Sequence, residues 1–309
     1  MRIFITGGAG YVGRAVVSAL SAAGHEVIGL ARTPDKVEVL ERLGARAVAG
    51  ALEDPASYVE TAAGCDAVVH LAQSPGPDRA ATDIAAVQSF LRAAREGGRV
   101  KSLVYTSVLF VLGDTGGVHA PESQANNPPA YAAARAQAER LVLEGGGATL
   151  ACAVVRPGMV YGGGAGGSVS ELFRGAVEEG APTYVGGGEN RWSLVHREDA
   201  AELFRTVLEG QSRGIFHAVD GHPLAVREVA AAAGRAAGTS GRVESLPLEQ
   251  ARGVLGSFAD ALCLDQLADA SRARALGWRP KWPAFDRAAP AAFEEWTREE
   301  RTSPPPARI

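Results

Sequence analysis

Residues 1–13 of the chain read MRIFITGGAGYVG. The apolar run at residues 3–5 predicts a buried strand, and the apolar stretch at residues 12–20 predicts a helix. Three glycines stand between or beside them, namely Gly7, Gly10 and Gly13. A strand, a glycine turn and a helix in this order are typical of a dinucleotide-binding motif.

The spacing of the glycines has a physical reason. One glycine allows the tight turn, a second lets the backbone approach a pyrophosphate, and a third lets the helix pack closely on the strand. The helix N-terminus offers free N–H groups and a partial positive charge to the phosphates. An ordinary glycine-rich turn is the plainer alternative in a chain with 38 glycines. We expect five residues to contact the dinucleotide: Gly7, Gly10, Tyr11, Val12 and Gly13.

Composition narrows the class of partner. The net charge is −4 and the basic residues form no stripe, so neither nucleic acid nor an anionic membrane is expected to bind. The three cysteines are isolated and show neither metal spacing nor a disulfide pattern, which fits a reducing cytoplasm. The chain enters a strand at once and has no apolar run of transmembrane length, so we expect neither a signal peptide nor a membrane span. Abundant Ala, Gly and Arg suggest a bacterial genome rich in G and C.

Apolar strands and helices alternate through the first half of the chain. The predicted strands lie at residues 3–5, 26–31, 45–49, 67–72, 102–107 and 150–155. The predicted helices lie at residues 12–20, 35–43, 55–63, 83–96 and 131–143. This alternation predicts an α/β fold with a Rossmann-type, doubly wound parallel sheet, because nearly continuous apolar strands fit burial on both faces. The second half is less regular, with helices, glycine-rich loops and a strand at residues 215–219.

Several short motifs follow the glycine turn in a recognisable order. They are His70-Leu71-Ala72, Val104-Tyr105-Thr106-Ser107, Tyr131-Ala132-Ala133-Ala134-Arg135, Arg156-Pro157-Gly158-Met159-Val160-Tyr161-Gly162, Val195-His196-Arg197-Glu198-Asp199 and Leu276-Gly277-Trp278-Arg279-Pro280. With these motifs the chain resembles an extended or atypical short-chain dehydrogenase/reductase of the NAD-dependent epimerase/dehydratase-like branch. The resemblance covers nearly the whole chain, to about Trp296.

The resemblance implies a division into two parts with a catalytic cleft between them. Residues 1–160, with returning segments near 191–220, would form the Rossmann dinucleotide-binding domain. Residues 161–190 and 221–300 would form a small C-terminal α/β substrate-binding part, and residues 301–309 a disordered tail. Beyond the glycine turn, the resemblance implies further cofactor contacts at Leu52, Leu71, Ala72, Pro157, Gly158 and Val160.

The end of the second predicted strand indicates which nicotinamide cofactor binds. NAD enzymes of this type carry Asp or Glu there to bind the ribose 2′-hydroxyl. Here the strand ends in Gly29-Leu30-Ala31-Arg32, with no acid. A guanidinium suits a 2′-phosphate, because it carries forked donors and a permanent charge. We therefore expect NADP(H), with Arg32 as its contact. NAD(H) is the alternative, with Arg32 an ordinary surface residue.

The resemblance also implies the catalytic residues, with two departures. In the family a tyrosine is the general acid/base, a lysine four residues later lowers its pKa and binds the ribose, and a Ser or Thr hydroxyl binds the substrate oxygen. Tyr131 takes the first role, and Arg135 stands in place of the lysine, although an arginine is a poor proton relay. Val108 occupies the hydroxyl position and is a tentative substrate contact. Ser107, one residue earlier, remains a catalytic candidate.

The substrate contacts and the reaction are less constrained. We expect Asn190, Arg191 and Trp192 to contact the substrate, although Trp192 would equally serve as core packing. The favoured function is an NADP(H)-dependent oxidoreductase of the carbonyl reductase or alcohol dehydrogenase type, acting on a small metabolite. One alternative is a redox-neutral epimerase, dehydratase or cyclase, and another is a non-catalytic NADP(H)-binding protein. By analogy with relatives, helices 83–96 and 131–143 are candidates for pairing in a homodimer.

Overall fold

The computed structural model describes residues 1–76, 78–164 and 166–302. The strands are β1 (Arg2–Thr6), β2 (Glu26–Ala31), β3 (Arg46–Ala49), β4 (Ala67–His70), β5 (Ser102–Thr106), β6 (Ala151–Pro157), β7 (Met159–Tyr161), β8 (Thr183–Val185), β9 (Arg191–Trp192), β10 (Leu194–His196), β11 (Gly214–Ala218), β12 (Leu224–Ala225) and β13 (Glu244–Leu246).

The α-helices alternate with these strands and continue to the end of the described chain. They are α1 (Tyr11–Ala22), α2 (Pro34–Arg42), α3 (Val59–Ala63), α4 (Arg79–Arg95), α5 (Ala133–Gly145), α6 (Gly167–Glu179), α7 (Arg197–Glu209), α8 (Val226–Ala236), α9 (Leu248–Leu255), α10 (Phe258–Leu262), α11 (Ser271–Ala275) and α12 (Phe285–Thr302). Short 3₁₀ turns lie at Pro55–Ser57, Leu109–Leu112 and Ala130–Ala132.

Seven parallel strands form the central sheet, in the order β11-β6-β5-β4-β1-β2-β3. The predicted Rossmann-type, doubly wound fold is therefore confirmed. The strand order runs outward from β1 and β4 in both directions, so the topological switch point lies between these two strands. Ligands of open parallel sheets bind at the carboxyl ends of the strands beside such a point. The glycine turn leaves β1 at that place.

Helices cover both faces of the sheet. On one face, apolar side chains of α1 and α7, such as Val16 and Phe204, pack against Ile3 and Ile5 of β1. On the other face, Phe90 of α4 packs in a second cluster with side chains of α5 and of the neighbouring strands. Strands β4 and β6 are buried and apolar except for His70 and Arg156, which fits a sheet that is covered on both faces.

The segments after β6 build a third apolar cluster beside the carboxyl ends of the sheet. It includes Phe173 of α6, Trp192 of β9 and Trp296 of α12. Three small strand pairs frame it: β7 with β10, β9 with β12 and β8 with β13. None of the helices in the described part of the chain is both long and apolar enough to span a membrane.

Three predicted segments differ from the structure. Helix α4 begins at Arg79 rather than at residue 83, because residues 79–82 continue its turns. Tyr131 lies in a 3₁₀ turn that follows Pro129, and the α-helix begins only at Ala133. Of the tail predicted at residues 301–309, the first two residues end α12 and the others lie outside the described residues.

Candidate active site

The turn after β1 is packed so closely that it needs glycine. Gly7 has a φ of +71°, and a Cβ there would lie 2.6 Å from the backbone nitrogen of Ala72. A Cβ on Gly13 would overlap the carbonyl oxygen of Gly7. Gly10 is exposed at the N-terminus of α1, where no side chain caps the helix among the described residues. This open cradle of backbone N–H groups fits a diphosphate.

Tyr11 joins this turn to the glycine-rich loop that follows β7. Its hydroxyl donates a hydrogen bond to the carbonyl oxygen of Gly162 at 2.8 Å, and its ring fills the space where a Cβ on Gly166 would stand. Burial raises the pKa of Tyr11, which keeps the hydroxyl protonated as the donor. Val12 packs against the sheet core. The turn and the loop are therefore held together by one side chain.

Arg32, at the end of β2, is held by a carboxylate. Its Nη2 atom donates to both oxygens of Glu53, at 2.9 and 3.1 Å. The hydroxyl of Ser74 also donates to Glu53. The hydrogen bond from Ser74, with the charge of Arg32, lowers the pKa of Glu53. Both members of the pair remain about half exposed, so the guanidinium and the carboxylate both face solvent where the adenosine end of a dinucleotide is expected.

Arg135 is fixed in a buried polar cluster. Its Nη1 atom donates to the hydroxyl of Tyr105 at 2.8 Å and to the carbonyl oxygen of Thr106 at 3.2 Å. The same atom lies 3.4 and 3.3 Å from the two oxygens of Asp83. Tyr105 in turn donates to Asp83 at 2.6 Å, and burial raises the pKa of this tyrosine. The positive charge of Arg135 is therefore balanced by a neighbouring carboxylate.

The cluster continues through His70 to the glycine turn. His70 Nε2 lies 3.1 Å from Asp83, and Nδ1 lies 2.5 Å from the Thr6 hydroxyl, which also accepts a hydrogen bond from the backbone N–H of Ala72. Because the carboxylate only accepts, Nε2 carries the proton and Thr6 donates to Nδ1. Burial opposes the charge of Asp83, but the hydrogen bond from His70 and the charge of Arg135 outweigh it and lower the pKa of Asp83.

Tyr131 lies in an aromatic cluster at the carboxyl end of β5. Its ring centroid is 4.7 Å from that of Phe258 and 6.0 Å from that of Phe110. Val108 packs in the same cluster, so an apolar side chain occupies the position that the resemblance assigns to a hydroxyl. Arg79 forms a cation–π contact with Tyr131, and its guanidinium carbon lies 5.2 Å from the ring centroid.

Ser107 is buried behind this cluster. Its backbone N–H donates to the carbonyl oxygen of Val155, and its side chain is 1% exposed. No hydrogen-bond partner of the Ser107 hydroxyl is found within the described ranges of the chain. The structure therefore leaves this hydroxyl unpaired at the end of β5, and its catalytic role stays a prediction.

The remaining candidate cofactor contacts lie along the carboxyl ends of the strands. Leu52 is buried in the core after β3, and Leu71 and Ala72 follow β4 beside the glycine turn. Pro157 ends β6, and Val160 lies in β7, which pairs with β10. Gly158 lies between them, and a Cβ on it would overlap the backbone of Ser193. Their contacts with a cofactor remain predictions.

The three candidate substrate residues form hydrogen bonds with one segment of the protein, residues 262–265 at the end of α10. Asn190 and Trp192 both donate to the carbonyl oxygen of Leu262, at 2.9 and 3.1 Å. The guanidinium of Arg191 forms a two-pronged ion pair with Asp265, which lowers the pKa of that carboxyl through the hydrogen bonds. These contacts hold the end of α10, the helix that presents Phe258. Any contact of these residues with a substrate remains a prediction.

Sequence reasoning missed four residues at this site: Arg79, Asp83, Glu53 and Phe258. Asp83 carried a signal, since a carboxylate among the small and apolar residues of a predicted helix implies a buried partner. The other three lie in segments without a motif, and only the fold brings them to the cleft.

Comparison with known proteins places the chain among relatives. The sequence model described as the NAD dependent epimerase/dehydratase family matches residues 3–218. An uncharacterized protein of Schizosaccharomyces pombe is 32% identical over 287 residues, which cover 91% of this chain and 95% of that protein. The 4-hydroxy-2-methyl-3-oxo-4-farnesyl-3,4-dihydroquinoline-1-oxide ketoreductase of Stigmatella aurantiaca is 29% identical over 262 residues, 82% of this chain and 78% of that protein.

A solved structure with a similar fold is a UDP-glucose 4-epimerase of Thermotoga maritima with UDP-glucose. It superposes with a TM-score of 0.82 over 97% of this chain and 100% of that chain, at 22% sequence identity. At this identity the likeness establishes a common fold and no common substrate.

Proposed function

The chain belongs to the NAD-dependent epimerase/dehydratase family, and within it we propose a carbonyl reductase that acts on a small metabolite with NADP(H). The observation that carries this proposal is the position of Tyr131, a partly exposed phenol in an apolar cluster at the carboxyl end of the sheet. The ketoreductase among the relatives supports the same chemistry.

The glycine turn fits the diphosphate of the cofactor, and Arg32 supports a preference for NADP(H). Its forked donors suit a 2′-phosphate, provided that the phosphate displaces Glu53. The pair is about half exposed, so it adds at most about 1 kcal/mol and yields readily. A nicotinamide cofactor bound here supplies the hydride.

The proton comes from this chain. In the reduction, a hydride adds to the carbonyl carbon, the C=O π bond breaks, and the oxygen takes the proton of the Tyr131 hydroxyl to give an alcohol. Val108 has no hydrogen to donate to that oxygen, so Tyr131 orients the carbonyl and protonates it. Phe258 and Phe110 hold the phenol ring and exclude water from one side of it.

Arg135 serves this site as a fixed, charge-balanced group rather than as a proton relay. Its Nη1 donors are directed to Asp83, Tyr105 and Thr106, and its pKa is raised because the effects of Tyr105 and Asp83 outweigh its burial. An arginine so held keeps its proton at all working pH values. We propose that it contacts the ribose beside the nicotinamide with its remaining donors.

The larger organisation is also part of the proposal. We propose that residues 1–160 with 191–220 bind the dinucleotide and that residues 161–190 and 221–300 bind the substrate. Two chains would pair through α4 and α5, which pack side by side at the surface. A bacterial cytoplasm remains the predicted location.

The experiment that tests the function replaces Tyr131 by Phe, which keeps the ring packing. We expect NADPH oxidation with a panel of aldehydes and ketones to fall by about 10²–10⁴-fold in kcat, while unfolding curves stay unchanged. An unchanged rate would remove Tyr131 from the chemistry. Cofactor that copurifies and stays unchanged through turnover of a substrate would instead favour a redox-neutral reaction.

A further inference from the structure

Within the described ranges, the guanidinium of Arg79 has no ion-pair partner at the proposed reaction centre. It lies on the ring of Tyr131, at 5.2 Å from guanidinium carbon to ring centroid. No carboxylate lies within 4.0 Å of its nitrogens among residues 1–76, 78–164 and 166–302. Arg135, the other cation beside Tyr131, is balanced by Asp83. Of these two cations beside Tyr131, Arg79 is therefore the one that no carboxylate in the described part of the chain balances.

The stability of α4 does not explain this arginine. Arg79 is the first residue of the helix, and the first turn contains no acid. A cation in the first turn opposes the helix dipole and is unfavourable there. Arg92 and Arg95, by contrast, lie in the last turn, where a cation is favourable. The contact with the ring of Tyr131 offsets this cost and keeps the guanidinium beside the phenol.

The surface around Tyr131 and Arg79 is apolar. Phe110 is 8% exposed, and Phe258, Met159 and Val108 are partly buried in the same cluster. Such a wall accepts a hydrocarbon chain and offers no hydrogen bond to a sugar hydroxyl. One cation on an apolar wall is the pattern expected for a ligand with one acidic group and an apolar body.

We propose that the substrate is an oxo acid with an apolar chain, whose carboxylate pairs with Arg79. The proposal rests on the proposed reductase function. The carbonyl oxygen accepts the hydrogen bond of Tyr131, and the chain lies on Phe110 and Phe258. Because Arg79 lies on the ring of the same tyrosine, the acid stands within a few bonds of the carbonyl. Reduction converts the ketone to an alcohol as described above and leaves the carboxylate unchanged, so the product is a hydroxy acid.

The experiment compares 3-oxohexanoate with its methyl ester, in which a methyl group on the carboxyl removes the negative charge. Both are assayed with NADPH for the wild type, Arg79→Gln, Arg79→Lys and Arg95→Gln. The last variant removes the same charge from the exposed end of the same helix. We expect the wild type to show a KM for the acid at least about tenfold below that for the ester. Arg79→Gln should raise the KM for the acid about tenfold or more, and should raise the KM for the ester clearly less.

Arg79→Lys should recover part of the affinity, and Arg95→Gln should match the wild type. Equal KM values for acid and ester in the wild type, or equal effects of Arg79→Gln on both, would overturn the proposal. If neither compound is reduced, the reductase function fails for this class. Calorimetric titration with 3-hydroxyhexanoate, the product of this reduction, then still tests whether Arg79 binds the carboxylate. Binding that is lost in Arg79→Gln and kept in Arg95→Gln supports it, and binding that is absent or unchanged refutes it.

Discussion

The Nη1 atom of Arg135 lies 3.3 Å from one carboxylate oxygen of Asp83 and 3.4 Å from the other, in a place where both side chains are almost fully buried. This pair sets the net charge of the buried cluster that also contains Tyr105 and His70. Breaking a buried pair by removing one partner leaves an uncompensated charge, which costs far more than an intact pair contributes.

We predict that Asp83→Asn lowers the free energy of unfolding by roughly 3–5 kcal/mol at neutral pH. The pKa of Asp83 is lowered in the folded state, so its stabilisation is complete above the ordinary value of 3.8 and is lost as the pH falls through the folded value. The difference between wild type and variant should therefore shrink in acid. Urea unfolding at about pH 7 and about pH 3 measures it.

Glu144→Gln is the matched control, because the pair of Glu144 with Arg140 on α5 is exposed. Its loss should cost less than about 0.5 kcal/mol. A cost for Asp83→Asn that equals the control, or that grows in acid, would contradict the assignment of Asp83 as the counter-charge of Arg135.

Much of the fold can be predicted from the sequence, because the hydrophobic pattern and the positions of the glycines indicate the same structure. Apolar strands alternate with helices, which requires a parallel sheet, and glycines stand where the backbone of Gly7 turns against Ala72. The resemblance to the family also predicts that Tyr131 and Arg135 belong to one site. These features depend on residues close in sequence or on a motif read as a unit.

The residues that contact Arg135 and Tyr131 could not be predicted from the sequence, because they come from distant segments. Asp83 and Arg135 are 52 residues apart, and Phe258 reaches Tyr131 from the C-terminal part. The helical spacing of four also breaks down locally. Pro129 starts a 3₁₀ turn that contains Tyr131, so the tyrosine and the arginine do not share one continuous helix.

A second prediction concerns Arg32 and Glu53. Replacing Glu53 by Gln frees the guanidinium, so NADPH should bind more tightly, by up to about fivefold, since an exposed pair is worth at most about 1 kcal/mol. Arg32→Gln should weaken NADPH binding by about tenfold or more and leave NADH nearly unchanged. Calorimetric titration with both nucleotides checks this. Equal effects on NADPH and NADH would show that the pair does not face the 2′ position.

A third prediction separates backbone strain from close packing. Gly24 has a φ of +81° with nothing within 4 Å of a Cβ, so Gly24→Ala should cost only about 1–2 kcal/mol. Gly7→Ala meets the backbone of Ala72 as well, and should cost at least about 2 kcal/mol more. Urea unfolding of the two variants measures the difference. Similar costs would mean that the turn has room for a side chain.

A fourth prediction tests the link through Tyr11. Tyr11→Phe keeps the ring but removes the hydrogen bond to Gly162, which should cost about 1 kcal/mol. Amide hydrogen exchange should accelerate in the loop after β7 and stay unchanged in α8, which packs against α6 and α12. Faster exchange throughout the protein would indicate general destabilisation rather than a local link.

Helix α4 begins with Arg79 and carries Asp83 one turn later. The helix therefore fixes the angle between the two side chains about its axis. Arg79 lies on the ring of Tyr131, and Asp83 lies in the buried cluster. An inserted residue before Arg79 only lengthens the connection from β4. An insertion between the two would rotate Arg79 by about 100° around the helix axis. Among homologues that share this chemistry, length variation should accumulate upstream of Arg79, while the four-residue interval stays constant.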